Sequence, residues 1–128
     1  MRVRNDQAAA YMSACERHLS DRGELGYACA RNLRMLAFST SDYLARRDEA
    51  VRRHGTPADG GRTSISPQDE GWAPFLEEMG PLDAIEHEVD VTTVEASRLV
   101  GKLSGAEMLE IGFMLDWGDD KGAGNGDV

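Results

Sequence analysis

Three kinds of side chain in this sequence have types and spacing that could do chemistry: histidines, cysteines and a group of arginines. His18, His54 and His87 fall on three different predicted elements, and His87-Glu88 is followed by no second histidine, so the helical zinc-protease arrangement is absent. Cys15 and Cys29 are too few for a thiolate zinc site or a secreted disulfide scaffold. Their midpoint is position 22, beside a predicted turn, so in an antiparallel hairpin they lie at similar heights as small core residues. No catalytic residue, metal site or cofactor is expected.

The arginines are more informative. Arg46-Arg47 and Arg52-Arg53 bracket Asp48 and Glu49, and Arg62 follows a turn-rich stretch. Guanidinium forks match phosphate and carboxylate oxygens in pairs, and Tyr43 or Trp72 could stack on a base. The competing reading is a solvated helix end, where the macrodipole favours cations. The glycines of Gly55–Gly61 lack the Gly-Lys-Ser/Thr ending of a phosphate loop and lead into a strand. Glu86, Glu88 and Asp90 offer the opposite chemistry: spaced about 7 Å apart on one strand face, they could imitate nucleic acid or merely keep the protein in solution.

The chain has 128 residues, 29% of them charged and 41% apolar, and a net charge of −9. That is one domain, burying about two thirds of its unfolded surface. The charge is divided unevenly: residues 1–62 carry eleven arginines and no lysine against eight acids, whereas residues 63–128 carry three basic residues against fifteen acids. An all-arginine basic half fits either codon usage or binding of a planar anion, and the acidic balance disfavours nucleic-acid binding. No run approaches the about 20 apolar residues of a membrane span, and Met1-Arg2-Val3-Arg4 leads into no apolar signal core, so a cytoplasmic protein is expected.

The elements that must position these groups follow from periodicity. Ala8, Met12, Cys15 and Leu19 mark one face of a helix over residues 6–22. Ala30, Leu33, Ala37, Thr40, Leu44 and Val51, with Leu36 and Tyr43, predict a second helix of about 28 residues, about 42 Å long, ending at His54-Gly55. The first helix covers only the start of the second, so the stretch from Ser41 to His54 needs another partner, either the C-terminal half or a second subunit. The second alternative predicts a homo-oligomer. Asp59-Gly60 marks a turn, and a short strand around Ile65 follows. Ser66-Pro67-Gln68-Asp69 is a helix start, for a helix carrying Trp72, Phe75, Leu76 and Met79 and stopping at Gly80-Pro81. Ile85 to Thr93 alternate as a strand with Glu86, Glu88 and Asp90 outward. Residues 94–100 form a short helical turn, and Ser104-Gly105-Ala106-Glu107 caps a last apolar helix. From Gly118 a disordered, acidic, glycine-rich tail is expected. The predicted fold is α+β: a single domain over residues 1–117, with a helical hairpin at 6–54 and a part at 62–115 whose small antiparallel sheet joins residues 62–66 to 85–93.

The order of these pieces resembles a group of small phage- and prophage-encoded proteins of unknown function. The pieces concerned are Ala30-Arg31-Asn32-Leu33, Tyr43-Leu44-Ala45-Arg46-Arg47-Asp48, Arg53-His54-Gly55, Phe75-Leu76-Glu77-Glu78-Met79, Pro81-Leu82 and Glu86-His87-Glu88-Val89-Asp90-Val91. The resemblance spans about residues 23–115 and implies a compact accessory protein with no catalytic residues to carry over. By analogy with such proteins, the expectation is a non-enzymatic antagonist of bacterial antiviral defence. It would hold a small anionic nucleotide through Arg46, Arg47, Arg52, Arg53 and Arg62, at a site between subunits. The alternatives are an acidic inhibitor of a host nuclease acting through Glu86, Glu88 and Asp90, and a virion assembly protein.

Overall fold

A computed structural model describes residues 1–118, so all but the first residue of the expected tail lies outside the described residues. The fold is α+β. Strand β1 (Arg2–Arg4) runs directly into α1 (Asn5–Glu16), and Gln7 accepts a hydrogen bond from the Arg4 N–H at the start of that helix. The helix ends six residues before the predicted boundary, in turns at residues 17–20. Helix α2 (Glu24–Ser39) then packs back along α1, burying Ala14 and Cys15 against Leu25, Ala28 and Cys29.

The predicted 28-residue helix is two helices. Thr40 leaves helical geometry at φ −112° and ψ 13°, and α3 (Ser41–His54) starts after it. The Thr40 hydroxyl donates to the Leu36 carbonyl at 2.8 Å, a side-chain bond that competes with the backbone ladder. Ser39 and Ser41 flank it, making a run of three hydroxyl residues with low helix propensity.

The partner that α3 requires is supplied by the same chain. It packs on α4 (Trp72–Asp83), where Tyr43, Ala50, Phe75 and Met79 form a buried cluster lined by Leu44, Val51, Ile65, Trp72 and Leu82. The argument for a second subunit drawn from an uncovered helix therefore lapses. Between the two helices, β2 (Thr56–Pro57) and β3 (Thr63–Ser64) form a small antiparallel hairpin. Its turn has Gly60 and Gly61 at φ 84° and 80°, values that β-carbon-bearing residues rarely adopt. The chain then passes close under the end of α3: a Cβ on Gly71 would lie 1.8 Å from the His54 carbonyl oxygen. Helix α4 continues through Pro81 to Asp83 instead of stopping at Gly80-Pro81. A proline in the last turn forfeits a single backbone bond, which the packing on α3 offsets.

The predicted sheet is rearranged. Strand β4 (Glu86–Glu88) pairs not with residues 62–66 but with β1, in the register Arg2↔Glu88, Val3↔His87 and Arg4↔Glu86. The expected alternation holds only from Glu86 to Val91: Val89 is buried, His87 and Val91 are half-buried, and Glu86, Glu88 and Asp90 are exposed. Ile85 and Thr93, expected on the inner face, are exposed, and the paired strand is only three residues long. Val3 and Val89 join Ala8 and Leu36 in a second apolar cluster, which meets the α1–α2 core through Val91 and Phe113. Strand β5 (Val94–Glu95) pairs in parallel with β6 (Leu115–Asp116), and between them lie a 3₁₀ turn (Ala96–Arg98) and α5 (Gly105–Glu110). The Ser104 cap is reciprocal, as predicted: its hydroxyl accepts from the Glu107 N–H at 3.1 Å, and the Glu107 carboxylate accepts from the Ser104 N–H at 2.9 Å.

One polar residue fixes how the C-terminal part lies on α2. Asn32 is fully buried; its Nδ2 donates to the Thr92 carbonyl at 2.9 Å while its Oδ1 accepts from the Thr92 N–H at 2.7 Å. A side-chain amide thus pairs with a peptide group as a neighbouring strand would. Reading Ala30, Leu33 and Ala37 as the apolar face turned α2 slightly from its true orientation: Ala30 is exposed, and Asn32 sits among Ala28, Cys29 and Leu36 at the centre of the buried face.

Candidate functional site

At about 100° per residue, the four arginines of α3 are distributed around its circumference. Arg46 and Arg53 lie on one side, Arg47 about 100° away and Arg52 about 120° the other way. The structure gives each a different neighbour. Arg53 and His54 both engage Glu78 on α4, His54 Nε2 at 2.9 Å. The His54 hydrogen bond and the Arg53 charge hold the Glu78 carboxyl below its ordinary value. The Arg47 guanidinium carbon lies 5.8 Å from the Phe75 ring centroid, a cation–π contact that closes the α3–α4 cluster. Arg46 is highly exposed, 3.7 Å from Glu49 one turn along, at the rim of a cleft of about 300 Å³ lined by Asn5, Tyr43, Leu82, Ile85 and His87.

Arg52 and Arg62 come together. Both line a cleft of about 350 Å³ with Asp48, Val51, Gly61 and Thr63. The β2–β3 hairpin folds Arg62 back beside α3, and the positive φ of Gly60 and Gly61 makes that return tight. Two guanidiniums there present up to about ten N–H donors to one space. Thr63 and Asp48, a hydroxyl and a carboxylate residue, complete the lining beside them.

The two aromatic candidates serve the core. Tyr43 is buried, and its hydroxyl donates to Asp83 Oδ1 at 2.6 Å; burial and the Asp83 carboxylate push its ionisation upward. Trp72 is half-buried and stacks on Phe75 with centroids 5.8 Å apart. Neither lines the Arg52–Arg62 cleft.

The acidic candidates share their face with cations. Residues Arg2 and Arg4 stand opposite Glu88 and Glu86 on the same two-stranded ribbon, and Arg2 Nε donates to Glu86 Oε1 at 3.0 Å. The Met1 ammonium lies 2.5 Å from Glu88 and lowers that carboxyl. Asp90 is exposed beyond the paired strand. The same mixing operates across the molecule: Arg17–Glu110, Arg53–Glu78 and Arg98–Glu24 all join the basic half of the sequence to the acidic half. The charge division along the chain is folded together rather than displayed as two faces.

The histidines stay apart, and among the described residues no three metal-ligating side chains gather. His87 Nε2 lies 2.8 Å from Asn5 Oδ1. Because Asn5 Nδ2 donates to the Leu82 carbonyl at 2.8 Å, its oxygen faces the imidazole and calls for an Nε2–H tautomer. His18 is buried 3.9 Å from Glu110 Oε1. Both cysteines are buried free thiols, and the neighbouring Cys29 together with burial pushes the Cys15 thiol upward. Asn5 and Asn32, which organise the most connected polar contacts, carried no signal in the sequence beyond a polar residue on an otherwise apolar face. No family model, curated protein or solved structure matches the chain.

Proposed function

We propose that this chain is a non-enzymatic binding protein of the phage accessory kind, antagonising antiviral defence in the bacterial cytoplasm by holding a small anionic nucleotide. The observation that supports it is the convergence of Arg52, on α3, and Arg62, in the loop just before β3, on one cleft of about 350 Å³. That volume falls at the low end of small-ligand sites. The reading is narrower than the one drawn from spacing alone. Phosphate is met by Arg52 and Arg62, a ribose hydroxyl by Asp48 and Thr63, and the base is held without an aromatic stack. The cleft is complete within one chain, so no second copy is required. Among the described residues neither arginine is in an ion pair.

Titration calorimetry against mononucleotides, cyclic dinucleotides and ADP-ribose derivatives tests the reading. A member of that panel is expected to bind, with Arg52→Ala and Arg62→Ala each weakening it by about tenfold or more, as loss of a charge-assisted hydrogen bond requires. Affinity should also fall as salt is raised. No binding by any member, or binding that both substitutions leave unchanged, overturns it.

A further inference from the structure

Among the described residues the outer face of α2 has no partner. Its inner face buries Leu25, Ala28, Cys29, Asn32 and Leu36, yet Tyr27 is 68% exposed and Phe38 81%. Between them lie Arg31, half-buried, and Arg34, exposed. The spacing of four, three and four residues puts all four side chains within about 60° of arc, on the side opposite the core, in a stripe about 16 Å long. That is the spacing of a helix–helix seam. Tyr, Phe and Arg are the residue types enriched at protein interfaces, and lone exposed apolar residues do not normally line up in this way.

Charge decides the occupant. Arg2, Arg4, Arg17, Arg46, Arg53 and Arg98 each lie within 4 Å of a carboxylate, while among the described residues Arg31 and Arg34, like Arg22 and Arg47, do not. Glu24, on the same helix, is engaged by Arg98 at 2.7 Å. Two copies related by a two-fold axis would set Arg31 and Arg34 of one against those of the other, with four like charges at the centre of the contact. A double-stranded or single-stranded nucleic acid would approach a molecule of net charge −9. We infer that this face docks an acidic amphipathic helix of a protein partner, with apolar side chains over Tyr27 and Phe38 and carboxylates between them against Arg31 and Arg34. This surface and the Arg52–Arg62 cleft are independent, and either can fail alone.

Three stapled helical peptides of about four turns, alike in their leucine anchors and differing only in Glu, Gln or Lys at the central seam positions, are the probes. Fluorescence anisotropy should rank the Glu peptide about tenfold or more tighter than the Gln peptide, with the Lys peptide weakest. Amide chemical shifts should move along residues 27–38. Tyr27→Ala and Phe38→Ala should each weaken the Glu peptide about tenfold, and the R31E/R34E double variant should invert the preference toward the Lys peptide. That gain of binding cannot come from misfolding. Equal or absent binding of the Glu and Gln peptides, shifts centred elsewhere, or a micromolar dimer in light scattering that Phe38→Ala dissolves would each overturn the inference.

Discussion

Replacing Asn32 probes the contact that joins α2 to the segment after β4. Asn32→Ala removes the hydrogen bonds to both the N–H and the carbonyl of Thr92 and empties a site with no solvent exposure beside Met114. Each bond contributes about 0.5–1.5 kcal/mol net, and the freed peptide groups are incompletely rehydrated. The void adds about 1 kcal/mol. The expected loss is therefore about 2–4 kcal/mol, measured by urea denaturation with linear extrapolation, and a melting temperature lower by roughly 10 °C. Asn32→Asp sharpens the test through its pH dependence. A carboxylate at this position faces the Thr92 carbonyl in a buried site, so its folded pKa rises above the unfolded value of about 3.9. An acid whose pKa is raised on folding binds more protons in the native state, so its stability falls as pH rises through the window between the two values. The gap between Asn32→Asp and wild type should be wide at neutral pH and narrow toward pH about 4, where the protonated acid can donate to Thr92. Asn32→Ala within about 0.5 kcal/mol of wild type, or a gap for Asn32→Asp that is flat with pH, would refute the reasoning.

Other outcomes follow from single features. Ser104→Ala should cost about 1 kcal/mol in denaturation, since it removes half of a reciprocal cap on a helix of only six residues. Gly71→Ala should destabilise strongly and broaden the amide resonances of residues 54–72, because its methyl meets the His54 carbonyl at 1.8 Å. The Glu78 carboxyl is depressed below its ordinary 4.5, so its pairing with His54 and Arg53 stabilises the fold above that pH and is lost as pH falls through the depressed value. Melting curves of wild type and Glu78→Gln should accordingly converge in acid and separate near neutrality.

Much of the architecture was legible because it is local. The capping box at Ser104 and Glu107, the turn at Asp59-Gly60, the apolar face of α4 apart from the exposed Leu76, and the alternation from Glu86 to Val91 all rest on neighbours within a few residues. What escaped was non-local or too short to carry a period. Strand β1 has three residues, two of them arginine, and its partner lies 84 positions away. The break at Thr40 leaves the 3.6-residue period almost intact, so apolar spacing could not find it; the Ser39-Thr40-Ser41 run was the available signal. Among the arginines, residue type pointed to anion chemistry, but only the β2–β3 hairpin decides that Arg62 meets Arg52 rather than Arg46. Tyr43 and Trp72 read as free aromatics because the α3–α4 packing that engages them is invisible to a helix considered alone.

The connectivity of the cores has a consequence for how this chain can be edited. The cluster between α3 and α4 is built wholly from residues 43–82, whereas the other two clusters draw on residues 3–36 and 89–115. The inner stretch begins and ends at the same place: Tyr43 bonds Asp83, and Asn5 bonds Leu82 and Ile85. In topological terms α3, the hairpin and α4 are a guest spliced into a host whose own halves meet across the splice at Asn32 and Thr92. A guest whose two ends adjoin can be excised and the host chain rejoined by a short turn. The arginine cleft would leave with the guest, and the outer face of α2 would stay with the host.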